Sequence, residues 1–401
     1  MQPLVLTCTS CGKEYAADAP NFRCGDCDEP LELPLVQSGT IRQDGGLKQT
    51  LIGRYADFFP FEQRPGLSLG EGFTPLMAAP RLAEQLGVGE LYLKNETMNP
   101  TWSFKDRGTM AGLHHAVQLG YRQIGTVSSG NMATSVAAYG ARAGLRTFVL
   151  VQSTIASEKL APIAIYGADL ITVEGDYGEL YSASLRIGEE LGIYFINSDH
   201  PFRVEGSKTI AFEIAEQLDF NMPDYLVVPT SAGGNLRGVD KGLREFCAAG
   251  LIDRMPKLIC AQSTGCSPIA TAWAQSKSKI SHFGPTDTIA HAIENPNPPS
   301  GNQALRLLQR NGGCAVAVTN QEIIAAQAEL AQAGVFAQPA SAVSVAAIRK
   351  LRSDGYLTGR DRIAAVITGS GLKYTAAFQH HKCSYSSCKL EQLRDKVKSL
   401  L

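Results

Sequence analysis

Four cysteines open the chain as two C-x-x-C pairs, Cys8 with Cys11 and Cys24 with Cys27, with 12 residues between the pairs. Four thiolates at this spacing suit a tetrahedral zinc knuckle, in which the small residues of TSCG and CGDC let backbone amides face the sulfurs. Four protein ligands leave no open coordination position, so the expected role of the Zn is structural. A second reactive group stands in NPTWSFKDRGTM, residues 99–110, where Lys105 follows a proline and an aromatic pair and precedes Asp106 and Arg107 at the start of a helical run. Most lysines are solvated helix-face residues. A lysine desolvated near other cations instead becomes a nucleophile and a proton carrier.

Four further stretches carry polar groups where a strand ends. SSGN (128–131) offers Ser128 and Asn131, and SAGGN (231–235) offers Ser231, Ala232, Gly233, Gly234 and Asn235. Glycine permits close backbone approach, and exposed amides with the helix dipole favour an anion, so SAGGN could cradle a phosphate; a plain tight connection fits the residues equally well. NSDHPFRVEGSKT (197–209) groups Asn197, Ser198, Arg203 and Lys208, a mixture that surface solvation also explains. RIAAVITGSGLK ends a buried strand in Thr368 and Gly369, and the hydroxyl there suits a strand-end cap or a partner for a ring nitrogen.

The elements that must position these residues alternate. ELYLKNE (90–96) reads as a strand, GTMAGLHHAVQLG (108–120) as a helix, QIGTVSS as a strand, NMATSVAAYGARAG as a helix, RTFVLVQ as a strand, SEKLAPIAIYGA as a helix and DLITVEG as a strand. The pattern resumes with DYLVVPTS, NLRGVDKGLREFCAAG and KLICAQS, and again with QEIIAAQAELAQAG, SAVSVAAIRKLRSDG and RIAAVITGSG. Strict alternation implies an α/β protein of parallel sheets with crossover helices, and ligands then bind beyond the carboxyl ends of the strands. The stretch from about 275 to 303, rich in Pro, Asn and Ser, reads as an irregular surface or active-site loop.

At 401 residues the chain is long enough for two or three cores. Charged residues make up 19% and the formal net charge is -1, so the composition asks for neither nucleic acid nor a membrane surface, and small molecules are the expected partners. The opening MQPLVLTCTSCGK lacks a signal peptide's basic flank and apolar run, and no stretch of about 18 apolar residues runs unbroken, so a cytoplasmic protein is expected. Ten cysteines in such a chain point to metal or reduced thiols rather than disulfides; Cys383 and Cys388, in a polar tail, read as bystanders.

The motifs LGEGFTPL (69–76), NPTWSFKDRG (99–108), SSGN, NSDHPFRVEGSKT, SAGGN, QPASAVS (338–344) and ITGSGLK (367–373), in this order, resemble threonine synthase. The resemblance runs from about residue 50 to residue 375 and implies a pyridoxal-phosphate enzyme of the tryptophan synthase β-subunit type, fold type II. It implies two lobes of parallel sheet with helices on both faces, preceded by the small zinc-ribbon-like segment. The expected division is a ribbon at 1–35, a larger cofactor-binding lobe at 36–109 and 200–380, a smaller mobile lobe at 110–199, and a tail at 381–401. By the same resemblance Lys105 carries pyridoxal 5'-phosphate as a Schiff base, Asn131 bonds its ring hydroxyl, Ser231 through Asn235 hold its phosphate, and Thr368 faces its ring nitrogen. Ser128, Asn197, Ser198 and Arg203 match the family's substrate-phosphate residues, with Lys208 as a helper, and Asp106 and Arg107 fix the helix start. The implied reaction converts O-phosphohomoserine and water to threonine and phosphate, and a homodimer is the assembly considered.

The chain departs from the family pattern on the substrate side. Trp102 stands where a glycine is usual, Met132 where a threonine is common, Gln338 where a carboxylate is common, and Phe73 where a small polar residue is expected, and the late loop reads AIENPNPPSGN. Two other readings therefore stand beside the first. One is a paralogue performing replacement chemistry on another phosphorylated or acylated amino acid, as cysteate synthase does; the other is a zinc-bearing interaction protein without catalysis.

Overall fold

The computed structural model describes residues 4–18, 22–43, 46, 49–153, 160–175, 177–381 and 385–401. Three short strands, β1 (Val5–Cys8), β2 (Glu14–Ala16) and β3 (Leu31–Glu32), form an antiparallel sheet in the order β2-β1-β3, so the two cysteine pairs sit on its turns.

Two larger sheets follow. One holds β4 (Leu76–Ala78), β5 (Glu90–Asn95), β10 (Tyr225–Pro229), β11 (Lys257–Ser263), β12 (Cys314–Val318) and β13 (Arg362–Ile367), in the order β12-β11-β10-β13-β5-β4. The other holds β6 (Gln123–Val127), β7 (Arg146–Gln152), β8 (Asp169–Val173) and β9 (Tyr194–Phe195), in the order β8-β7-β6-β9. Every pairing in both is parallel except β4 with β5, an antiparallel edge that the expected all-parallel sheet did not contain. β10 and β13 read as nearly unbroken apolar runs because helices cover both faces, which leaves no solvated side for a polar alternation. Core clusters line both faces of the six-stranded sheet, one built on Leu226, Val228 and Ala364, the other on Val227, Ile363 and Ala365.

The helix expected in SEKLAPIAIYGA is shorter here, Ala161–Ala164, with part of that stretch outside the described residues. The helix expected at 108–120 spans Lys105–Gln118. It starts three residues early because Asp106, in its first turn, accepts hydrogen bonds from the Thr101 amide and hydroxyl, each at 2.6 Å, and so closes the helix N-terminus without a conventional cap. The tail ends in an exposed helix, Leu393–Lys398; Cys388 is exposed, and Cys383 lies outside the described residues. Among the described residues no helix is long and apolar enough to cross a membrane.

Candidate active site

Lys105 is placed by three constraints. β13 pairs with β5 in a register that sets Ile367 opposite Asn95, and the chain after β13 then bridges Ser103 to Gly369 while the Phe104 amide donates to Thr368 at 3.0 Å. Arg107, fully buried, reaches Glu96 at 2.6 Å and Glu213 at 2.7 Å, and Glu213 also accepts from Lys94 at 2.6 Å. Two cations and two carboxylates thus tie the start of the lysine helix to the end of β5 and to the helix Thr209–Gln217. Third, Gly206 packs its backbone onto that of Arg107: a Cβ there would lie 1.9 Å from the Arg107 carbonyl oxygen. Only glycine allows the helix Pro201–Ser207 so close, and that approach sets Arg203 beside the lysine.

A cleft opens along the carboxyl ends of both large sheets. Lys105, Asn131, Ser198, Ser231, Ala232 and Gln338 line it and its deeper recess, where Arg203, Gly233, Gly234, Asn235 and Thr368 are added. The Pro- and Asn-rich loop expected near 275–303 forms one wall, through His291, Ala292 and Asn295 among others. Lys105 is half-buried on the cleft floor, its Nζ 4.5 Å from the centre of the Phe104 ring, and no carboxylate pairs with it among the described residues. Burial, with the neighbouring Arg203 charge as the smaller cause, pushes the Lys105 ammonium down to about 7. The same burial brings Arg203 down to about 10, against the pull of Asp106. A lysine in these surroundings is about half neutral near pH 7, and the neutral form is the one that attacks carbonyls and accepts protons.

The turn from β10 into the helix Gly234–Ala248 forms the recess wall opposite. Gly233 takes φ +94°, and a Cβ on it would meet Ser300 at 2.8 Å, so this turn requires glycine on two counts. The Asn235 carboxamide at its end has both polar atoms buried without a hydrogen-bond partner. Buried amide groups are normally satisfied, so this one stands ready for a ligand. Across the recess the Thr368 hydroxyl lies 2.9 Å from that of Ser341, and Asn131 donates its amide to Gln338 at 3.1 Å.

Two expected residues face away from the cleft. Asn197 accepts from the Val127 amide at 2.9 Å and donates to Ser184 at 3.1 Å, which pins the loop after β9 to the end of β6 and engages both ends of its carboxamide. Lys208 is fully buried between Glu205 and Glu245, at 2.6 and 2.8 Å, with the Phe58 carbonyl as a third partner. It is a counter-ion inside a buried cluster, and its helper role is withdrawn. Ser128, Ser198 and Arg203 do reach the cleft, and Arg203 spends one nitrogen on Thr109 at 3.0 Å. Trp102, which stands where the family usually has glycine, sits at the cleft rim, 51% exposed and with φ +64°. Met132 lines the cleft while packing into the core. One cleft residue went unread: Lys373, whose Nζ donates to the Thr101 carbonyl at 2.7 Å and which burial brings down to about 8. Its signal was the basic residue closing ITGSGLK.

The cysteines converge as their spacing predicts. All four Sγ atoms lie within 4.8 Å of one another, with Cys8 to Cys27 at 3.5 Å and Cys11 to Cys24 at 3.6 Å. A tetrahedron with Zn–S bonds of about 2.3 Å has edges of about 3.8 Å. The Ser10 and Cys11 amides point at the Cys8 sulfur, at 3.4 and 3.5 Å. The set fits a tetrahedral thiolate-bound metal.

A lysine at the floor of a cleft between two parallel sheets, opposite a glycine turn, defines a class. The family model described as pyridoxal-phosphate dependent enzyme matches residues 67–369, and the chain belongs to that family. Within it several curated relatives are threonine synthases. That of Methanocaldococcus jannaschii is 40% identical over 92% of this chain and 93% of its own length, and that of Methanosarcina acetivorans 38% over 92% of each. That of Mycobacterium leprae is 38% identical over 80% of this chain. Among solved structures, threonine deaminase isoform 2 from Solanum lycopersicum superposes with a TM-score of 0.65 at 21% identity, covering 77% of this chain and 86% of its own, which supports the fold.

The residues here fit pyridoxal phosphate: an unpaired lysine on the floor, a glycine turn at a helix N-terminus for an anion, and an unsatisfied Asn235 carboxamide beside it. Asn235→Ala is expected to have effects of opposite sign, weakening cofactor binding about tenfold while leaving the apoprotein as stable or up to about 2 kcal/mol more so, because a desolvated orphan group is removed. Equilibrium dialysis and denaturant titration of apoprotein check the pair.

Proposed function

We propose that this chain is a pyridoxal-phosphate-dependent threonine synthase, a lyase that converts O-phosphohomoserine and water to threonine and phosphate. The observation that carries the reading is the conjunction of Lys105, brought down to about 7 by burial, with Arg203 in the same recess as the cofactor cradle. Bound in the recess, pyridoxal phosphate supplies an electron sink for negative charge developing on the substrate's carbon chain. The residues of the chain do the rest. Ser231 to Asn235 would hold the cofactor's phosphate, Thr368 would offer a neutral hydroxyl to its ring nitrogen, and Asn131 would bond its ring hydroxyl. Lys105 Nζ takes the substrate's Cα proton and then a Cβ proton, and returns protons as phosphate leaves Cγ and water adds at Cβ.

The substrate phosphate needs its own anion site, and Arg203, Ser198 and Ser128 form it, with Lys373 adding positive charge nearby. A guanidinium suits phosphate oxygens because its donors are set in a planar fork. Closure of the smaller lobe, 110–199, over the cleft would exclude water until it is needed. The reading places the chain in the cytoplasm, as a small-molecule enzyme with a structural Zn.

One pH effect follows from the electrostatics. The rate at which apoprotein takes up pyridoxal phosphate should rise as pH increases through about 7, because Lys105 attacks only when neutral. Removing the Arg203 charge removes a contribution that lowers the lysine, so Arg203→Met should move that midpoint upward and also raise KM for a phosphorylated substrate about 100-fold. Stopped-flow absorbance at several pH values and steady-state kinetics read the two effects; an unmoved midpoint with an unchanged KM removes Arg203 from the site.

A further inference from the structure

We propose that the metal-bound cysteine knuckle is a strut of the active-site cleft, which holds the substrate-phosphate loop in place through Arg23. Arg23, next to the ligand Cys24, donates from Nη1 to Asp199 at 2.7 Å, across 176 residues of sequence. Asp199 is buried at the end of the loop that follows β9, directly after Ser198 and four residues before Arg203, and it also accepts from the Tyr181 hydroxyl. Phe22, on the other side of Arg23, packs against the His200 ring at 4.0 Å and the Tyr194 ring at 5.7 Å. One turn of the knuckle therefore grips the loop by a charge and an aromatic contact, and Arg23, Cys24 and Gly25 themselves line the cleft.

The other side of the knuckle is anchored to the larger sheet's helices. Arg237 donates to the Leu31 carbonyl at 2.9 Å and Lys241 to that of Leu33 at 2.8 Å, both from the helix that begins at the glycine turn. Asn302 and Arg306, on the helix Gly301–Asn311, hold Glu29 at 2.7 and 2.8 Å. The knuckle thus ties the phosphate-cradle helix at one end to the loop carrying Ser198 and Arg203 at the other. The segment buries Leu6, Ala17, Phe22, Leu31 and Leu33 in the main core, but the turns that carry Cys11 and Cys27 are exposed, so four metal–sulfur bonds are what fix those turns and let the knuckle transmit position.

The kinetic arm of the test rests on the threonine synthase reading; the exchange arm does not. Metal content of purified, cofactor-loaded full-length protein is measured first, and about one Zn per chain is expected. Wild type, Arg23→Met and Arg23→Lys are then compared with and without chelator. Chelation of wild type and the Arg23→Met change should each raise KM for O-phosphohomoserine about tenfold, with kcat changed less than about twofold and cofactor content constant. Amide hydrogen exchange in residues 196–207 should quicken about tenfold in both, while the sheets stay protected. Chelating Arg23→Met should add nothing further, because metal and arginine act in series, and Arg23→Lys should recover most of the wild-type protection. A protein that holds no metal, or in which chelation leaves exchange at 196–207 unchanged, or in which the two effects add, overturns the proposal. If wild type does not turn over the substrate but the exchange results hold, the functional reading has failed and the strut has not.

Discussion

Lys105→Ala is expected to give a folded protein whose turnover falls about 10⁴-fold or more, with loss of the cofactor's long-wavelength absorbance. The loss should be this large because the lysine has two tasks, holding the cofactor and carrying protons, and no other amine shares its position on the cleft floor. Lys373, the other half-buried lysine of the cleft, is committed to the Thr101 carbonyl. Folding should survive because Lys105 makes no ion pair among the described residues and is lifted by no partner. The apoprotein supplies an independent readout. The lysine's folded value, about 7, lies below its ordinary 10.5, so the unfolded chain binds the extra proton between them and wild-type stability should climb with pH across that window. Lys105→Ala should lose this climb. Denaturant midpoints of apoprotein at pH 7 and pH 10 check it, and retained turnover in the variant would sink the whole assignment.

The second large effect is on stability. Arg107→Met should destabilise the protein by about 3–5 kcal/mol, because it leaves Glu96 and Glu213 buried with Lys94 as their remaining cation. Arg107→Lys should recover little. The guanidinium serves Glu96 through Nε and Nη2, Glu213 through Nη1 and Nη2, and the Thr74 and Thr209 hydroxyls as well, and one ammonium cannot span those directions. Since this network fixes the first turn of the lysine helix, the variant should also lose activity at temperatures where it is still folded. Chemical denaturation of the apoprotein measures the first effect and cofactor-loaded kinetics the second; a variant as stable as wild type would mean that the cluster does not hold the helix.

How much of this was legible from sequence depends on the range of the interaction. The alternation of apolar runs and helical periods gave the two parallel sheets, because strand and helix are set by local patterning, and the resemblance of ordered motifs gave the lysine and the glycine turn. The C-x-x-C pairs were legible for the same reason, since both ligand spacings are local. Asn197 and Lys208 were misplaced because their partners, the Val127 amide and the carboxylate of Glu245, come from distant segments. A polar residue in a polar stretch looks the same whether it faces a substrate or a buried counter-ion. The contact of Arg23 with Asp199 is beyond any reading by pattern, as Arg23 lies outside the motifs and nothing local in NSDHPFRVEGSKT marks Asp199 for a partner 176 residues away. Periodicity alone put the helix at 108–120, three residues late, because the stabilising group Asp106 lies inside the first turn rather than ahead of it, where capping residues are sought; the resemblance had named Asp106 and Arg107 for that start.

Trp102 and Phe73 depart from the family pattern in another sense. Both are aromatic residues held at positive φ, +64° and +50°, and both are substantially exposed, but of the two only Trp102 lines the cleft. Backbone in that region is costly for a residue with a bulky side chain, by about 1–3 kcal/mol, so the surrounding structure must hold it.

The measurement that tests the central claim most directly is phosphate release by purified, pyridoxal-phosphate-loaded protein given O-phosphohomoserine and, in parallel, O-phosphoserine, with the amino-acid product identified by mass. Threonine formed with one phosphate per turnover from the first substrate, and little reaction with the second, is the predicted result. No turnover of O-phosphohomoserine, or a product other than threonine, would contradict it.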